Sequence, residues 1–496
     1  MTRTEARRVE ALAALRAESQ ERLGQFFTPR RAASLIAGLP RLPESGRLRV
    51  LDPGAGAGSL TAALVDRVLA EAPGVQVEVV AVEIDPDVVG YLAETLADCE
   101  KEAGGMVTTR LIRGDYIELA TGGLGADEAL PGPFDVVIMN PPYAKLAVRS
   151  WQRAAMQRFG IDSPNLYAAF LALGATALKP DGQLVAITPR SFANGPYFED
   201  FRRYLLRTVA IDRLHIFESR STVFSDTGVL QENIVLSATR DGTRSKVRLT
   251  VSHGHTDTAT EHVINYDDMV RPEDPHQFLR ISAGNADTAV AEVMAGMPAT
   301  LKDLGLKVST GRVVDFRSRQ NLRETPRDGD LPLVYPGNLR EGVIEWPRNL
   351  RKPQGFAVLT EEDRKLLVPS GCYVVVKRFS AKEERRRVVA AVWDPAVNGQ
   401  ADVAFENHLN YFHANGTGLD RDLGVGLSLW MNSGIVDKFF RTFSGHTQVN
   451  ATDLRTLRFP VLDALRALGR AVTSAALPPQ EQIDNLVQAH LIPAEA

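Results

Sequence analysis

The sequence predicts an α/β fold, in which helices cover both faces of a mostly parallel sheet, followed by a smaller domain of a different kind. Strand and helix patterns alternate from residue 48 to 240, and a Gly-rich turn follows the first of these strands. After about residue 300, short strands, turns and a few helices replace the alternation. We therefore expect one domain over 1–240, a connecting segment over 241–298 and a mixed α+β domain over 299–496.

The elements of the first domain follow from local patterns. An amphipathic helix is expected over 5–22, and a second helix is expected from the capping residue Ser59 to about residue 71. Asp85-Pro86 opens the next helix, and a long helix covers Leu166 to Leu178. Residues 241–245 and 252–262 are expected to be irregular. The predicted strands are Arg49–Leu51, Val77–Val82, Thr109–Ile112, Asp135–Met139, Leu184–Ile187, Asp212–Phe217 and Asn233–Ser237.

Composition places the 496-residue chain among globular proteins, with 44% apolar and 24% charged residues. No apolar stretch approaches the ~20 residues that a membrane-spanning helix needs. Cys99 and Cys372 are the only cysteines and form no metal-binding pattern, so we expect a reducing cytoplasm and no metal site. The net charge of −4 does not exclude nucleic acid as a partner, because binding depends on where the cationic side chains lie.

Glycine and polar residues follow four predicted strands. They are the turn Asp52-Pro53-Gly54-Ala55-Gly56-Ala57-Gly58, then Glu83, then Asp115-Tyr116, and then Asn140. The carboxyl ends of parallel strands meet at one edge of a sheet, so one pocket can collect all four. Glu83 can accept hydrogen bonds from ribose hydroxyls, Asp115 can accept one from an amino group, and Tyr116 can flank a purine. These groups fit S-adenosylmethionine, which carries no phosphate, and the turn has no lysine to hold one.

Two parts of this pocket also have simpler interpretations. A Gly-rich turn alone is compatible with a packing turn or a dinucleotide site. The segment Gly24-Gln25-Phe26-Phe27-Thr28-Pro29 can close over the methionine end of the donor through Phe27, Thr28 and Pro29. A helix cap with a packed phenylalanine explains that segment equally well.

The tetrapeptide Asn140-Pro141-Pro142-Tyr143 directly follows the apolar run Phe134–Met139. Asn140 Oδ1 and the Pro141 carbonyl are two acceptors that can draw the hydrogens of an aromatic amine out of conjugation and localise its lone pair. The prolines stiffen the loop and remove N–H donors, and Tyr143 can stack on a base. This set favours methylation of a flat amino or amide nitrogen through positioning. A structural turn with a packed tyrosine is an alternative interpretation of the same four residues.

A different methylation chemistry is disfavoured by the cysteines. Methylation of cytosine C5 requires a nucleophilic cysteine that attacks the ring, typically one preceded by proline. Here Cys99 follows Asp98 and Cys372 follows Gly371, so both are interpreted as structural thiols.

Taken together, these segments resemble the N6-adenine DNA methyltransferases of the gamma order, the TaqI group, and within it the PstI and BsuBI modification methylases. The resemblance extends from Gly24 to about Val461. It implies S-adenosylmethionine as cofactor, double-stranded DNA as substrate and CTGCAG as the methylated site in a bacterial cell. The segments that carry it further are Asn165–Leu171, Leu178–Pro180, Pro336–Leu339, Val388–Asp394, Met431–Ser433 and Gly445–Leu454.

The resemblance also implies roles for individual residues. Asn140, Pro141 and Tyr143 would hold the flipped adenine, and Phe224 would stack on it as a second aromatic. The stretch between Pro189 and Asp200 is longer than in the family, so Phe224 is also compatible with a plain core position. The residues that match donor-binding positions are Thr28, Asp52, Gly54, Glu83 and Asp115.

The second domain contains candidates for DNA contact. Its densest basic run, from Lys377-Arg378 through Lys382 to Arg385-Arg386-Arg387, can contact phosphates, although a solvated loop is equally compatible. Candidates for reading base edges are Asn338, Arg340, His408, Asn410, His446 and Gln448.

Other functions and partners are weighed against this hypothesis. A methyltransferase acting on RNA or on a protein glutamine is one alternative, because both classes use Asn-Pro-Pro-Tyr. A catalytically silent DNA-binding subunit is the other. We expect a monomer, with any cognate restriction endonuclease on a separate chain.

Overall fold

The computed structural model of the chain describes residues 2–14, 27–122, 130–217, 233–252, 259–281, 285–380, 384–399, 401–443, 448–473 and 476–491. It divides into two compact units, Met1–Ala283 and Gly284–Ala496. The division falls inside the segment that the sequence predicts as a connection.

The first unit alternates helices and strands. Its helices are α1 (Thr2–Ala14), α2 (Arg30–Ala37), α3 (Ser59–Glu71), α4 (Pro86–Glu102), α5 (Tyr116–Thr121), α6 (Trp151–Arg158), α7 (Leu166–Ala177), α8 (Glu199–Thr208) and α9 (Tyr266–Met269). Its strands are β1 (Gly46–Pro53), β2 (Val75–Glu83), β3 (Val107–Arg113), β4 (Phe134–Met139), β5 (Leu178–Pro189), β6 (Val209–Phe217), β7 (Asn233–Arg240), β8 (Lys246–Ser252) and β9 (Thr260–Asn265).

These strands form one sheet in the order β3-β2-β1-β4-β5-β7-β6-β8-β9. Neighbours from β3 to β5 pair in parallel, and β7 enters antiparallel between β5 and β6. The chain builds outward from β1 to β3 and then returns to add β4 on the other side of β1. Ligands of open α/β sheets bind at such a reversal of strand order.

Alternate residues of β4 show why helices cover both faces. Val137 and Met139 pack into a core with α7, whereas Val136 and Ile138 pack into a second core with α3. Successive side chains of a strand point to opposite faces, so an uninterrupted apolar run buries both. The predicted α/β class is therefore confirmed.

The sequence predictions for three local features differ from the structure. Gly58, at φ +84°, is the residue that caps α3, and Ser59 is the first helical residue. Residues 246–252 and 260–265 form β8 and β9 at one end of the sheet, within the segment 241–298 that the sequence predicts as a connection, and β9 overlaps the range 252–262 that is expected to be irregular. The side chains of β9 are all exposed or half-buried, so its residues carry no alternation of apolar and polar positions. The first helix is described as far as Ala14, and the remainder of the predicted range lies outside the described residues.

The second unit is mixed α+β. Its helices are α10 (Asn285–Gly296), α11 (Glu361–Arg364), α12 (Pro395–Asn398), α13 (Arg421–Met431), α14 (Gly434–Phe443), α15 (Ala451–Arg455), α16 (Leu462–Arg470) and α17 (Gln480–Leu491). Its strands are β10 (Lys307–Thr310), β11 (Leu322–Arg323), β12 (Leu331–Val334), β13 (Leu339–Arg340), β14 (Val343–Ile344), β15 (Gly355–Phe356), β16 (Leu367–Val368), β17 (Tyr373–Lys377), β18 (Ala390–Trp393), β19 (Val403–Phe405) and β20 (Leu409–His413).

Two sheets organise this unit, in the orders β10-β20-β17-β18-β14-β13 and β11-β15-β12-β19-β16. Its helices α13 to α17 bury a core with the first of these sheets, around Trp430 and Phe440. Among the described residues of the whole chain, no helix is long and apolar enough to cross a membrane.

Candidate active site and donor pocket

A cavity of about 760 Å³ lies beyond the carboxyl ends of β1 to β4. The predicted donor residues that line it are Phe27, Gly54, Gly56, Glu83, Asp115, Tyr116, Asn140 and Pro142. A small adjoining cavity is lined by Phe27, Thr28, Asp52, Gly54, Gly56 and Asn140, among others. The structure thus brings the four predicted strand-end groups together in one place.

The Gly-rich turn approaches its neighbours too closely for side chains. Gly56 has φ +58°, and a Cβ on it would lie 2.9 Å from Cδ1 of Phe27. Phe27 is buried against this turn, so it forms part of the wall between the turn and α1. The aromatic residue that the sequence assigns to the donor pocket therefore also shapes the turn.

Glu83 is held by the backbone around it. Its Oε2 accepts a hydrogen bond from Gly56 N at 2.8 Å, and its Oε1 accepts from Ile84 N and Asp85 N at 2.9 and 2.8 Å. A carboxylate has about four acceptor sites, so this network fixes the group and leaves capacity for a hydroxyl. Burial raises the pKa of Glu83, and the three backbone N–H groups act in the opposite direction.

Asp52 is a buried carboxyl with an unused acceptor. Its Oδ2 accepts from Thr61 Oγ1 at 2.7 Å, whereas its buried Oδ1 has no hydrogen-bond partner within the described part of the chain. Burial raises the pKa of Asp52 to about 7, opposed by the Thr61 hydrogen bond and assisted by the nearby Glu83 charge. A cationic donor group in the small cavity would satisfy this oxygen.

Asp115 and Tyr116 begin α5 at the end of β3. Asp115 caps the helix by accepting from Ile117 N at 2.8 Å, and burial raises its pKa. Tyr116 is buried, and its ring tilts against Phe170 with centroids 4.9 Å apart. Tyr116 and Phe170 both line the donor cavity, and the place of Tyr116 beside a purine stays a prediction.

Asn140 is anchored on both sides. Its Nδ2 donates to Thr28 Oγ1 at 3.1 Å, and its Oδ1 accepts from the Tyr143 hydroxyl at 3.0 Å. These two bonds fix the plane of the amide at the end of β4. Thr28, predicted to bind the donor, therefore also positions Asn140.

Tyr143, the last residue of the predicted catalytic loop, lies in the interior. Its ring is 8% exposed and meets Tyr167 edge-on, with centroids 6.3 Å apart. Pro141 is buried and Pro142 lines the cavity, so both prolines fix the loop at its edge. Phe224, the predicted second aromatic, lies outside the described residues.

Several cavity-lining residues escape sequence reasoning. Ile84 is 46% exposed directly after Glu83, and Phe170 comes from the middle of α7. Trp151 and Gln152 reach the cavity from α6. An apolar residue exposed just after a strand-end carboxylate is a signal that could have identified Ile84. No local pattern indicates the positions of Trp151 and Gln152.

The residues present fit S-adenosylmethionine. The small cavity offers a buried carboxyl with an unused oxygen, and the larger cavity offers a fixed carboxylate at the end of β2 and a capping carboxylate beside aromatic rings at the end of β3. These groups match an ammonium, a ribose and an adenine in that order. Both cysteines are buried, and burial raises the pKa of each thiol to about 12, which agrees with structural roles.

In the second unit, two predicted base-reading residues are interior. Asn338 is 0% exposed, its Oδ1 accepts from Tyr335 N, and its Nδ2 donates to Glu345 O and Gln354 Oε1. Asn410 is also 0% exposed, with its Nδ2 bonded to Val449 O. Both amides hold neighbouring segments together, so they are corrected to structural residues. Residue type alone does not show which way a side chain faces.

Three other candidates form one surface. Arg378 N donates to His408 O, Val449 N donates to Arg378 O, and Phe379 pairs with Gln448. The exposed Phe379 ring lies 5.0 Å from the His408 ring, and buried Glu406 accepts from His408 N. Lys377 ends β17 just before this surface.

The basic run divides between surface and core. Arg340, Arg385 and Arg386 line a cavity of about 390 Å³, whereas Arg387 is buried over Phe440. The burial of Arg387 corrects its assignment to a solvated phosphate-binding loop. Lys382 and His446 lie outside the described residues.

Known proteins similar to this chain were found by sequence and by structure. Residues 115–224 match the family described as Eco57I restriction-modification methylase. The chain is 39% identical to the type II methyltransferase M.BsuBI of Bacillus subtilis, over 96% of this chain and 93% of that protein. It is 38% identical to the type II methyltransferase M.PstI of Providencia stuartii, over 95% and 93%. The solved type IIL restriction-modification enzyme MmeI in complex with DNA shares the fold, with TM-score 0.54 and 11% identity over 98% of this chain and 75% of that one.

Proposed function

The chain belongs to the type II restriction–modification methyltransferases, which use S-adenosylmethionine, and on that premise we propose that it methylates the N6 amino group of adenine in duplex DNA. The observation that carries the proposal is the fixed amide of Asn140. It lies at the end of β4, between Thr28 and Tyr143 and on the wall of the donor cavity.

The catalytic role of this chain is to position an amine and accept its hydrogens. Asn140 Oδ1 and the Pro141 carbonyl would accept the two amino hydrogens, which localises the nitrogen lone pair. Thr28 keeps the amide from rotating because it accepts from Nδ2. S-adenosylmethionine supplies the electrophilic methyl group when bound, so the protein contributes chiefly alignment and charge stabilisation.

Adenine N6 is paired and stacked inside duplex DNA, so the nucleotide must rotate out to reach Asn140. Unstacking requires a few kcal/mol, which stacking on Tyr143 and Phe224 would partly offset. In this structure the Tyr143 ring is largely buried, so entry of a base requires a local rearrangement beside Tyr167. We propose CTGCAG as the site, the hexanucleotide that the sequence resemblance implies.

The second unit would select that site. In this proposal Arg340, His408 and Gln448 read base edges, whereas Arg378, Arg385 and Arg386 contact phosphates. A single copy of the chain would act on chromosomal DNA in the bacterial cytoplasm. Any cognate endonuclease would be a separate chain that cuts the unmethylated site.

Methyl transfer from labelled S-adenosylmethionine to CTGCAG duplexes, to ribosomal RNA and to total protein tests the proposal. We expect label only in DNA, as N6-methyladenine, and expect Asn140→Ala to lower the rate at least about a thousandfold while the donor still binds. Asn265→Ala is the matched control, because Asn265 is an exposed asparagine of the same unit that bonds only locally to Asp268.

Each alternative has its own outcome. Label in RNA or in a glutamine side chain would replace DNA adenine as the substrate. Label in cytosine would show that the methylated group belongs to cytosine and not to adenine. An Asn140→Ala protein that methylates like the wild type would remove the assigned role of the loop.

A further inference from the structure

The excursion between β4 and α7 forms a closed flap at the side of the donor cavity. Its two ends pair with each other, because Leu146 N donates to Pro164 O at 2.8 Å and Leu166 N donates to Ala144 O at 2.9 Å. Lys145 and Asn165 form an antiparallel bridge between these bonds. The flap, residues 144–166, therefore starts and returns at one fixed point beside Asn140.

Helix α6 is held rigidly within this flap. Ser150 caps it by accepting from Arg153 N, and Arg153 makes two hydrogen bonds to Asp162, at 2.7 and 2.6 Å. A bidentate guanidinium–carboxylate pair fixes direction as well as distance. The first residues of the helix, Trp151 and Gln152, consequently have a defined position on the cavity wall.

Both residues lie next to the end of β3. Gln152 and Asp115 line the same cavity, and the Gln152 side chain is near enough to oppose the rise in the pKa of Asp115, whose Oδ1 accepts from Ile117 N. Trp151 is 48% exposed although its ring is large and apolar, whereas Trp393 and Trp430 are fully buried in the second unit. An apolar ring left open on the wall of a cavity that fits a nucleoside is a stacking surface.

We propose that Trp151 and Gln152 complete the adenine end of the donor site. Trp151 offers its ring to the adenine of S-adenosylmethionine. Gln152 is a positioning residue, which orients the Asp115 carboxylate so that its Oδ2 accepts from the adenine amino group. The inference rests on the proposed donor cavity and adds two residues of the flap to it.

Tryptophan fluorescence during titration with S-adenosylhomocysteine tests the role of Trp151. The wild type should show quenching on binding. Trp151→Phe should bind nearly as tightly but lose the quenching, and Trp151→Ala should bind about tenfold more weakly, the size expected from one stacked base. The control Trp346→Phe changes a half-buried tryptophan that bonds Gln354 O in the second unit, and it should keep both signal and affinity.

The role of Gln152 is tested by comparing the affinity for a ligand that carries the adenine amino group with the affinity for one that lacks it. Calorimetry should show the wild type binding S-adenosylhomocysteine at least tenfold tighter than its inosine analogue, which lacks the amino group. Gln152→Ala should reduce that ratio, and Gln152→Glu should reduce it further, because a second carboxylate repels Asp115.

The outcomes separate this inference from the proposed function. Wild-type affinity in Trp151→Ala, quenching that persists in Trp151→Phe, or an unchanged ratio in Gln152→Ala would overturn the inference while leaving the donor cavity in place. Failure of the wild type to bind S-adenosylhomocysteine at all would overturn the donor assignment and this inference together.

Discussion

The donor cavity and the proposed DNA-reading surface were both predicted from residue types. The structure brings the predicted donor residues together, but it places only part of the predicted DNA-reading residues on one surface. Asp52, Glu83, Asp115 and Asn140 line two adjoining cavities. In the second unit, Asn338 and Asn410 are interior, and only part of the predicted set shares a surface. Strand ends fix where a side chain emerges in a parallel sheet. In short strands joined by turns, no equivalent rule applies.

The largest effect expected on stability from a single change concerns Asp52. Its pKa is raised to about 7 from 3.8, so the folded state holds the proton more tightly than the unfolded state. The carboxyl therefore stabilises most below about pH 4, and that contribution is lost as pH rises through 7. Asp52→Asn stays neutral and keeps an acceptor for Thr61. It should raise the free energy of unfolding by up to about 3 kcal/mol at pH 8 and by almost nothing at pH 4.

Urea denaturation at pH 4 and pH 8 measures this difference, with exposed Asp241→Asn as the control. The same Asp52→Asn protein should bind S-adenosylmethionine more weakly at pH 8, because a cationic donor group loses its ionised partner. Equal stability of variant and wild type at pH 8 would contradict the assigned burial cost, and unchanged donor affinity would separate Asp52 from the site.

The second change tests whether Thr28 acts through Asn140. Thr28→Val removes the acceptor for Asn140 Nδ2 while keeping the size of the side chain. We expect kcat to fall about ten- to a hundredfold, because one lost hydrogen bond in a positioned site is worth about 1–3 kcal/mol. The KM for S-adenosylmethionine should change little. Thr28→Ser should restore most of kcat, and a variant that raised only KM would assign Thr28 to donor binding alone.

The third change sharpens the contrast in the second unit. Asn410→Ala should lower the free energy of unfolding by about 2 kcal/mol, since it leaves the Val449 carbonyl and the Thr310 hydroxyl without this partner. Gln448→Ala should change stability by less than about 0.5 kcal/mol and instead lower the preference for CTGCAG over single-base variants. Calorimetry measures the stability of both variants. Methylation rates on CTGCAG duplexes and on duplexes with one changed base measure their sequence preference. A specificity loss in the folded Asn410→Ala protein would return that residue to the base-reading set.

The smallest expected effect belongs to the Gly-rich turn. Gly56→Ala introduces a Cβ at φ +58° and 2.9 Å from Phe27, whose ring can shift by a few tenths of an ångström. We expect a loss of about 1 kcal/mol in stability and a weaker donor site. Gly74→Ala is the matched control, because nothing lies within 4 Å of its added Cβ. Identical thermal unfolding of the two variants would show that the turn has more room than the structure indicates.

Much of the first unit could be predicted because most of its strands coincide with short apolar runs in the sequence. Five of these runs correspond to β1 to β5, and the polar residues after β1 to β4 line the two cavities. Trp151 and Gln152 could not be found this way, since the path of the flap from 144 to 166 depends on pairing between its two ends. Strands β8 and β9 were missed because half of their side chains are solvated, so their pattern resembles a loop.

The measurement that addresses the central claim most directly is nucleoside mass spectrometry, combined with sequencing of the modified positions, on DNA incubated with the purified protein and S-adenosylmethionine. The account predicts N6-methyladenine confined to CTGCAG and absent from DNA treated with Asn140→Ala. Methyl groups on cytosine, or adenine methylation that persists without the Asn140 amide, would contradict it.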